Sequence, residues 1–219
     1  TAVREGAEYV INGQKVYISL ADCADYLWLA ARTDLDAPKH KGISILLVPM
    51  NAPGVSTTPI RNLGDSNIHA VYFEDVRIPI TNLVGAENAG WKLVTSQLNH
   101  ERVALMMVGP LERMLGQVRQ WAKEQRMDGG VLLDRAWVRR NLAEVEAGLE
   151  VLRLMNWRQA WNLGRGHLTP QEASAIKVYG SEYYVTAHRL LLEVLGGAGP
   201  LQHGTPGAVL QGSVERHNR

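Results

Sequence analysis

One cysteine, Cys23, stands in the whole sequence. It cannot build a disulfide framework, and so low a count fits a reducing, cytosolic setting. No apolar run approaches the roughly 20 residues that span a bilayer, and no signal-peptide pattern opens the chain. The formal net charge is only +1, which gives no electrostatic reason to expect a nucleic acid or a membrane surface as partner. Histidines and carboxylates do not fall at metal-ligand spacing, so no metal is expected. His100, Asp22, Asp25 and His69 read as structural or solvated. Internal repeats and low-complexity segments are absent too.

What is there is the composition of a globular protein, 46% apolar and 21% charged over 219 residues, long enough for one large or two modest domains. Thr1 opens the chain where a Met would be expected, and turn residues arrive almost at once. The sequence therefore reads as a fragment.

Its first part has the punctuation of β structure. Tyr9-Val10-Ile11 and Lys15-Val16-Tyr17-Ile18 flank Asn12-Gly13, a type I′ hairpin signal, because both turn residues accept positive φ. Tyr26 to Arg32 and Ile43 to Val48 read as buried strands joined by a polar loop, Asp34 to Lys41, in which Lys39, His40 and Lys41 form a small solvent-facing basic patch. Val55 to Leu63 is extended after the Pro53-Gly54 turn, and Ala70 to Phe73 is a further strand. Val76 to Pro79 and Leu83 to Gly85 read as an irregular close. These short strands predict an antiparallel β-barrel or sandwich over residues 1–88.

From Trp91 the period changes to that of a helix. Leu93, Leu98, Val103, Met106 and Met107 fit the pattern, Pro110 is expected to kink it, and it resumes through Leu111, Leu115, Val118 and Trp121. A second helix is predicted from Asp134 to Leu163, with Leu142, Val145, Leu149 and Leu152 as its buried stripe. A third starts at Thr169-Pro170-Gln171-Glu172, a capping box, and ends at Gly196-Gly197. Residues 89–219 thus predict an antiparallel α-helical bundle, making the class α+β.

Gln97-Leu98-Asn99-His100-Glu101-Arg102, early in the first helix, sets a Glu beside an Arg. From these residues alone a solvated helical face remains open as the ordinary alternative.

Several segments in order resemble the acyl-CoA dehydrogenase family. Ile11 to Ser19 is similar to its "NGxKxWIT" strand. Gly42-Ile43-Ser44, Leu47-Val48-Pro49 and Pro53-Gly54-Val55 follow its next block. Phe73 to Pro79, Asn82 to Gly85 and Gly90-Trp91 are similar to its "FxxVxVPxxNxxGxxxxG" crossover, and Leu195 to Gly199 to its "GGxG" segment. Leu98 to Leu105 and Leu195 to Gly204 also resemble subunits of heteromeric dehydrogenases that degrade sterol side chains.

The resemblance implies FAD lying between a β domain and helices, with an N-terminal helical domain outside this sequence. It implies that Tyr17 stands where the family has a Trp near the flavin ring. Ser19 stands where it has a Thr near flavin N5, and Gly196 and Gly197 form a turn at the FAD pyrophosphate of a neighbouring subunit. Glu193 stands where relatives commonly have Gln, and Arg126-Met127-Asp128-Gly129 lies near the place of an "RxxFG" element but lacks its Phe. The implied reaction is α,β-dehydrogenation of an acyl-CoA thioester, fatty-acyl or sterol side-chain. A Glu takes the α-proton and the β-hydrogen leaves as hydride to flavin N5.

In one branch of the family the base immediately precedes an Arg on the first bundle helix. That placement makes Glu101 the candidate base, with Asn99 and Arg102 on substrate. A Glu in a C-terminal segment outside this sequence is the other candidate. The implied partners are acyl-CoA, an electron-transfer flavoprotein or similar acceptor, and further subunits in a homo- or hetero-tetramer. Alternatives are a non-catalytic partner subunit, a superfamily flavoenzyme of other chemistry, and an interaction module without cofactor.

Overall fold

The computed structural model describes residues 1–64, 67–104, 106–167 and 169–218, without the side chains of Val103 and Ala104. The positions of Leu105 and Arg219 in the sequence reading therefore lie outside the described residues, as does the side chain of Val103. By contacts the chain divides into two compact units, Thr1–Leu98 and Asn99–Arg219.

The first unit is built from β1 (Ala2–Glu5), β2 (Glu8–Ser19), β3 (Tyr26–Arg32), β4 (Ile43–Pro49), β5 (Val55–Ile60), β6 (Ile68–Pro79) and β7 (Leu83–Val84). They form two antiparallel sheets, ordered β1-β2-β6-β5 and β3-β4-β7, rather than a closed barrel. Tyr9, Ile11, Leu29, Leu46, Val48, Val71, Phe73, Val76 and Ile78 fill one buried cluster. Alternation along each strand places these apolar residues on inward faces.

Two local expectations are corrected here. Asn12-Gly13 is not a hairpin turn, because β2 runs straight through it and the register with β6 shifts between Ile11 and Gly13. Asn12 is held by Asp75 instead: its Oδ1 accepts from the Asp75 N–H at 2.9 Å, and its Nδ2 donates to Asp75 Oδ1 at 2.8 Å. A β-bulge and a type I′ turn make similar demands on Gly, and a partner distant in sequence decided between them. The hairpin actually turns earlier, between Glu5 and Glu8, at Gly6 with φ 62°. Val76 to Pro79 is not irregular either, since β6 continues to Pro79 against β2.

Buried hydroxyls fix the entry to α1 (Gly90–Ala104). Tyr9, 1% exposed, donates to Glu87 Oε1 at 2.7 Å, and its own phenol is pushed up to about 12 by burial and by that carboxylate. Ser44 Oγ, fully buried on β4, accepts from the Asn88 N–H at 2.7 Å. Gly90 then sits so close to β4 that a Cβ there would lie 2.9 Å from Ile43 O. Only glycine permits that approach.

The second unit holds α2 (Gly109–Glu124), a small hairpin of β8 (Arg126–Met127) and β9 (Gly130–Val131), α3 (Ala136–Gly164), α4 (Pro170–Leu195) and α5 (Ser213–Asn218). Pro110 does not kink one long helix. α1 has already ended, and Pro110 lies in the first turn of α2, where its missing N–H costs nothing. The carbonyls left without helical partners are taken up by neighbours: Asn156 Nδ2 donates to Met106 O at 2.7 Å and the Tyr184 hydroxyl donates to Met107 O.

Ion pairs between α2 and α3, Glu112 with Arg153 and Arg119 with Glu146, join early to late positions, as an antiparallel pair must. Asn141 with Glu193 and Asn162 with Glu172 do the same for α3 and α4. The predicted stripe Leu142, Val145, Leu149 and Leu152 is buried, and the Thr169–Glu172 capping box forms as read.

Near the end of α4, His188 is 3% exposed and stacks on His217 of α5, ring centroids 5.9 Å apart and 6° from parallel. Its Nδ1–H donates to Tyr184 O at 2.7 Å. Burial, with a smaller effect of His217, holds its pKa below the ordinary histidine value. The unfolded chain therefore takes up the proton first, so stability is full above about pH 6.5 and falls as pH drops below it. Urea midpoints measured between pH 7.5 and 5 are expected to decline in the wild type and to decline less in His188→Gln.

Candidate functional site

The stretch singled out in the sequence is the last part of α1. Arg102 Nη1 donates to Asn99 Oδ1 at 3.1 Å, which follows from their i, i+3 spacing on one helix face. Both are half-buried, whereas Glu101 is exposed. Asn99 and Arg102 are thus brought together. Glu101 is exposed on the same stretch of helix with no hydrogen bond or ion pair to either, since neighbours one and two apart do not share a face.

Tyr17 and Ser19 lie at the end of β2. In a regular strand, residues two apart would share a face. Here the register with β6 shifts between Lys15 and Ile18, and Tyr17 takes φ 63°, a left-handed conformation costing a non-glycine residue about 1–2 kcal/mol. The bulge pushes the Tyr17 ring out until it is 74% exposed. Ser19 is exposed as well, and neither hydroxyl has a hydrogen-bond partner among the described residues. Leu20, three residues on and also exposed, takes a left-handed φ of 60° too, so the strain belongs to this strand end rather than to Tyr17 alone.

Gly196 and Gly197 close α4. Gly196 adopts φ 56° and its N–H returns to the Glu193 and Leu192 carbonyls, a helix C-cap. No heavy atom lies within 4 Å of where a Cβ would stand at either glycine, so the backbone is bare to an approaching group. The Glu193 carboxylate is tied up: Asn141, 3% exposed, donates to its Oε2 at 2.9 Å. Arg126–Met127 forms the small hairpin with Gly130–Val131, and both its residues are exposed.

The basic loop is better ordered than its composition suggests. Arg32 Nη1 donates to Ala37 O and Lys41 O, each at 3.2 Å, and Nη2 donates to Lys39 O. Nothing in the loop sequence points to Arg32 as its anchor, since the bonds are to backbone. His69 is buried in β6, and its Nδ1 has no hydrogen-bond partner among the described residues. Among the described residues no group of three or more His, Cys, Asp or Glu could hold a metal, and no helix is long and apolar enough to cross a membrane.

A two-sheet antiparallel unit running into a helical unit is the arrangement of acyl-CoA dehydrogenase middle and C-terminal domains. The family profile "Acyl-CoA dehydrogenase, middle domain" matches residues 1–76, and "Acyl-CoA dehydrogenase, C-terminal domain" matches residues 88–219. The chain belongs to the acyl-CoA dehydrogenase family.

It is 50% identical to acyl-CoA dehydrogenase FadE26 of Mycobacterium tuberculosis, an alignment covering 100% of this chain and 56% of that protein. Among solved structures it is similar to the ChsE4-ChsE5 complex from the same organism, with TM-score 0.88 and 51% identity over 100% of this chain and 56% of that one. It is also similar to the Tcur3481-Tcur3483 steroid ACAD, with TM-score 0.90 and 45% identity over 99% and 56%. The chain spans about half the length of the curated relatives it matches.

Proposed function

We propose that this chain supplies the middle β domain, divided near residue 88, and the C-terminal helical domain of an FAD-dependent acyl-CoA dehydrogenase acting on a sterol side-chain or fatty-acyl thioester. The observation that carries it is the 50% identity to FadE26 across the full chain. The steroid ACAD among its structural neighbours favours the sterol side chain, and the two-component neighbours favour a hetero-oligomer. The acceptor for the reducing equivalents is an electron-transfer flavoprotein or a similar carrier.

The residues present suit FAD on three counts: an outward aromatic at Tyr17, an uncommitted hydroxyl at Ser19, and bare backbone at Gly196 and Gly197. In this reading Tyr17 offers a flat apolar wall and Ser19 a group able to donate or accept. Gly196 and Gly197 let backbone approach a pyrophosphate, and the Asn141 amide keeps the Glu193 carboxylate engaged. When bound, FAD supplies the acceptor for the β-hydrogen with its electron pair.

Glu101 removes the α-proton, which ends on its carboxylate oxygen. Asn99 and Arg102, held against each other, orient the thioester end of the substrate. A carboxylate is a stronger base once water is excluded, so covering of the exposed Glu101 by bound substrate is part of the mechanism.

The test is spectroscopic. The full-length protein, purified with its partner subunit, is expected to carry flavin absorbance that bleaches anaerobically on adding a steroid side-chain CoA thioester. A colourless assembly, or a flavin indifferent to any acyl-CoA, would sink the reading.

A further inference from the structure

A cleft in the helical unit, lined by none of the residues assigned above to base, substrate or flavin, has the makings of a second binding site. It encloses about 590 Å³ between the start of α2 and the segment leading into α5, a volume typical of small-ligand pockets. Its polar lining comes from Arg113, Gln117, Gln211, Ser213 and His217, and no carboxylate is among the lining residues. Arg113 forms no ion pair among the described residues, and the side-chain amides of Gln117 and Gln211 have no partner there either. The Ser213 hydroxyl is buried and unsatisfied. The His217 ring spends its Nδ1–H on Ser213 O at 2.7 Å, which leaves Nε2 for another contact.

Arg113, Gln117 and Gln211 are exposed and can be met by solvent, whereas the buried Ser213 hydroxyl is a group whose missing partner is costly. The backbone beside them is strained as well. Leu210, Gln211 and Gly212 have φ of 50°, 56° and 68°, three left-handed residues in a row. Gly212 is pressed so close that a Cβ would stand 2.5 Å from the His203 N. Such a run persists only where the surroundings enforce it, and it turns Gln211 and Ser213 toward one cavity.

The cleft also has an apolar extension. A hollow of about 410 Å³ shares Arg113, Gln117 and Leu210 with it and continues along α2 past Gly116 to Trp121. Gln120 and Glu124 also line it, and Gln120 Nε2 donates to Glu124 Oε1 at 2.7 Å. At Gly116 nothing lies within 4 Å of a Cβ position, so the floor is open.

We propose that this cleft binds an amphiphilic oxyanion, a carboxylate or a phosphate monoester. Its head is held by Arg113 with Ser213 and the two amides, and its apolar body lies along Gly116 and Trp121. A guanidinium can grip either head group through paired hydrogen bonds. None of the proposed base, substrate or flavin residues lines the cleft, and binding there does not depend on their roles.

Octanoate and octyl phosphate are the probes, titrated calorimetrically into the full-length protein, into Arg113→Gln and into Gly116→Leu. Arg113 is exposed and Gly116 faces open space, so neither change should disturb the fold, and unchanged thermal unfolding checks that. Saturable binding of at least one probe, weakened tenfold or more by both substitutions, is the expected result, and the tighter probe identifies the head group. Absence of saturable binding to the wild type overturns the proposal. So does binding that Arg113→Gln leaves intact, which would place the probe elsewhere, for example in an acyl-chain site.

Discussion

Replacing Glu101 with Gln in the full-length assembly is expected to lower kcat for acyl-CoA dehydrogenation by about 10²–10⁴-fold, the usual contribution of a positioned general base. The change is nearly isosteric, and Glu101 is exposed and outside the ion pairs of the described residues. Folding, flavin content and assembly should therefore be untouched. Gln keeps an oxygen in the same place but cannot hold the abstracted proton. KM should move little, because Asn99 and Arg102 remain paired to orient the thioester. The measurement is steady-state turnover with an artificial electron acceptor, alongside the flavin spectrum of the same preparation. Turnover within a few-fold of wild type would move the base to another carboxylate of the assembly and recast this chain as a non-catalytic partner.

Gly148→Ala is expected to destabilise the helical unit by about 1–3 kcal/mol, the cost of overpacking a filled interior. Helix propensity alone argues the opposite sign, since Ala is favoured over Gly by about 1 kcal/mol within a helix. Packing decides it. A Cβ at Gly148 would stand 2.1 Å from Cε2 of Tyr183. That ring has little freedom to retreat, because its hydroxyl donates to Val145 O and its face stacks on Tyr179 at 5.7 Å. Gly116→Ala, in the open interior of α2, is the matched control and should stabilise by roughly the propensity difference. Urea unfolding of both variants by circular dichroism reads the two signs. A neutral or stabilising Gly148→Ala would mean that α3 and α4 can move apart at little cost.

The same contrast between local and distant causes separates what could be read early from what could not. The Thr169–Glu172 capping box formed as expected because all its partners lie within four residues. The stripe Leu142 to Leu152 was equally legible, since helical period and burial are the same statement about one face. Asn12-Gly13 departs from the type I′ expectation: only Gly13 takes positive φ, 138°, and Asp75 makes the place a bulge rather than a turn. Pro110 was recognised as a break in the pattern, and it stands at a helix start rather than a kink.

For the candidate site, the roles of Tyr17, Ser19, Asn99, Glu101 and Arg102 follow from the resemblance of the ordered segments along the chain, not from their own residue types. The left-handed bulge that turns Tyr17 outward left no sign in the spacing. The cleft at Arg113 was invisible, because its donors come from chain segments that meet only in the fold.

The amino-acid sequence by itself determined the succession of a β unit and a helical unit, the helix caps, the buried stripe of α3 and membership in a flavoenzyme family. Each of these is written in short-range spacing or in ordered local motifs. Only the tertiary structure decided that the β strands pair as two sheets, that Asn12 answers to Asp75, that Glu193 is held by Asn141, and that Arg113 shares a cavity with Ser213. Those are contacts between residues far apart in the chain, and their energies depend on geometry that no local pattern encodes.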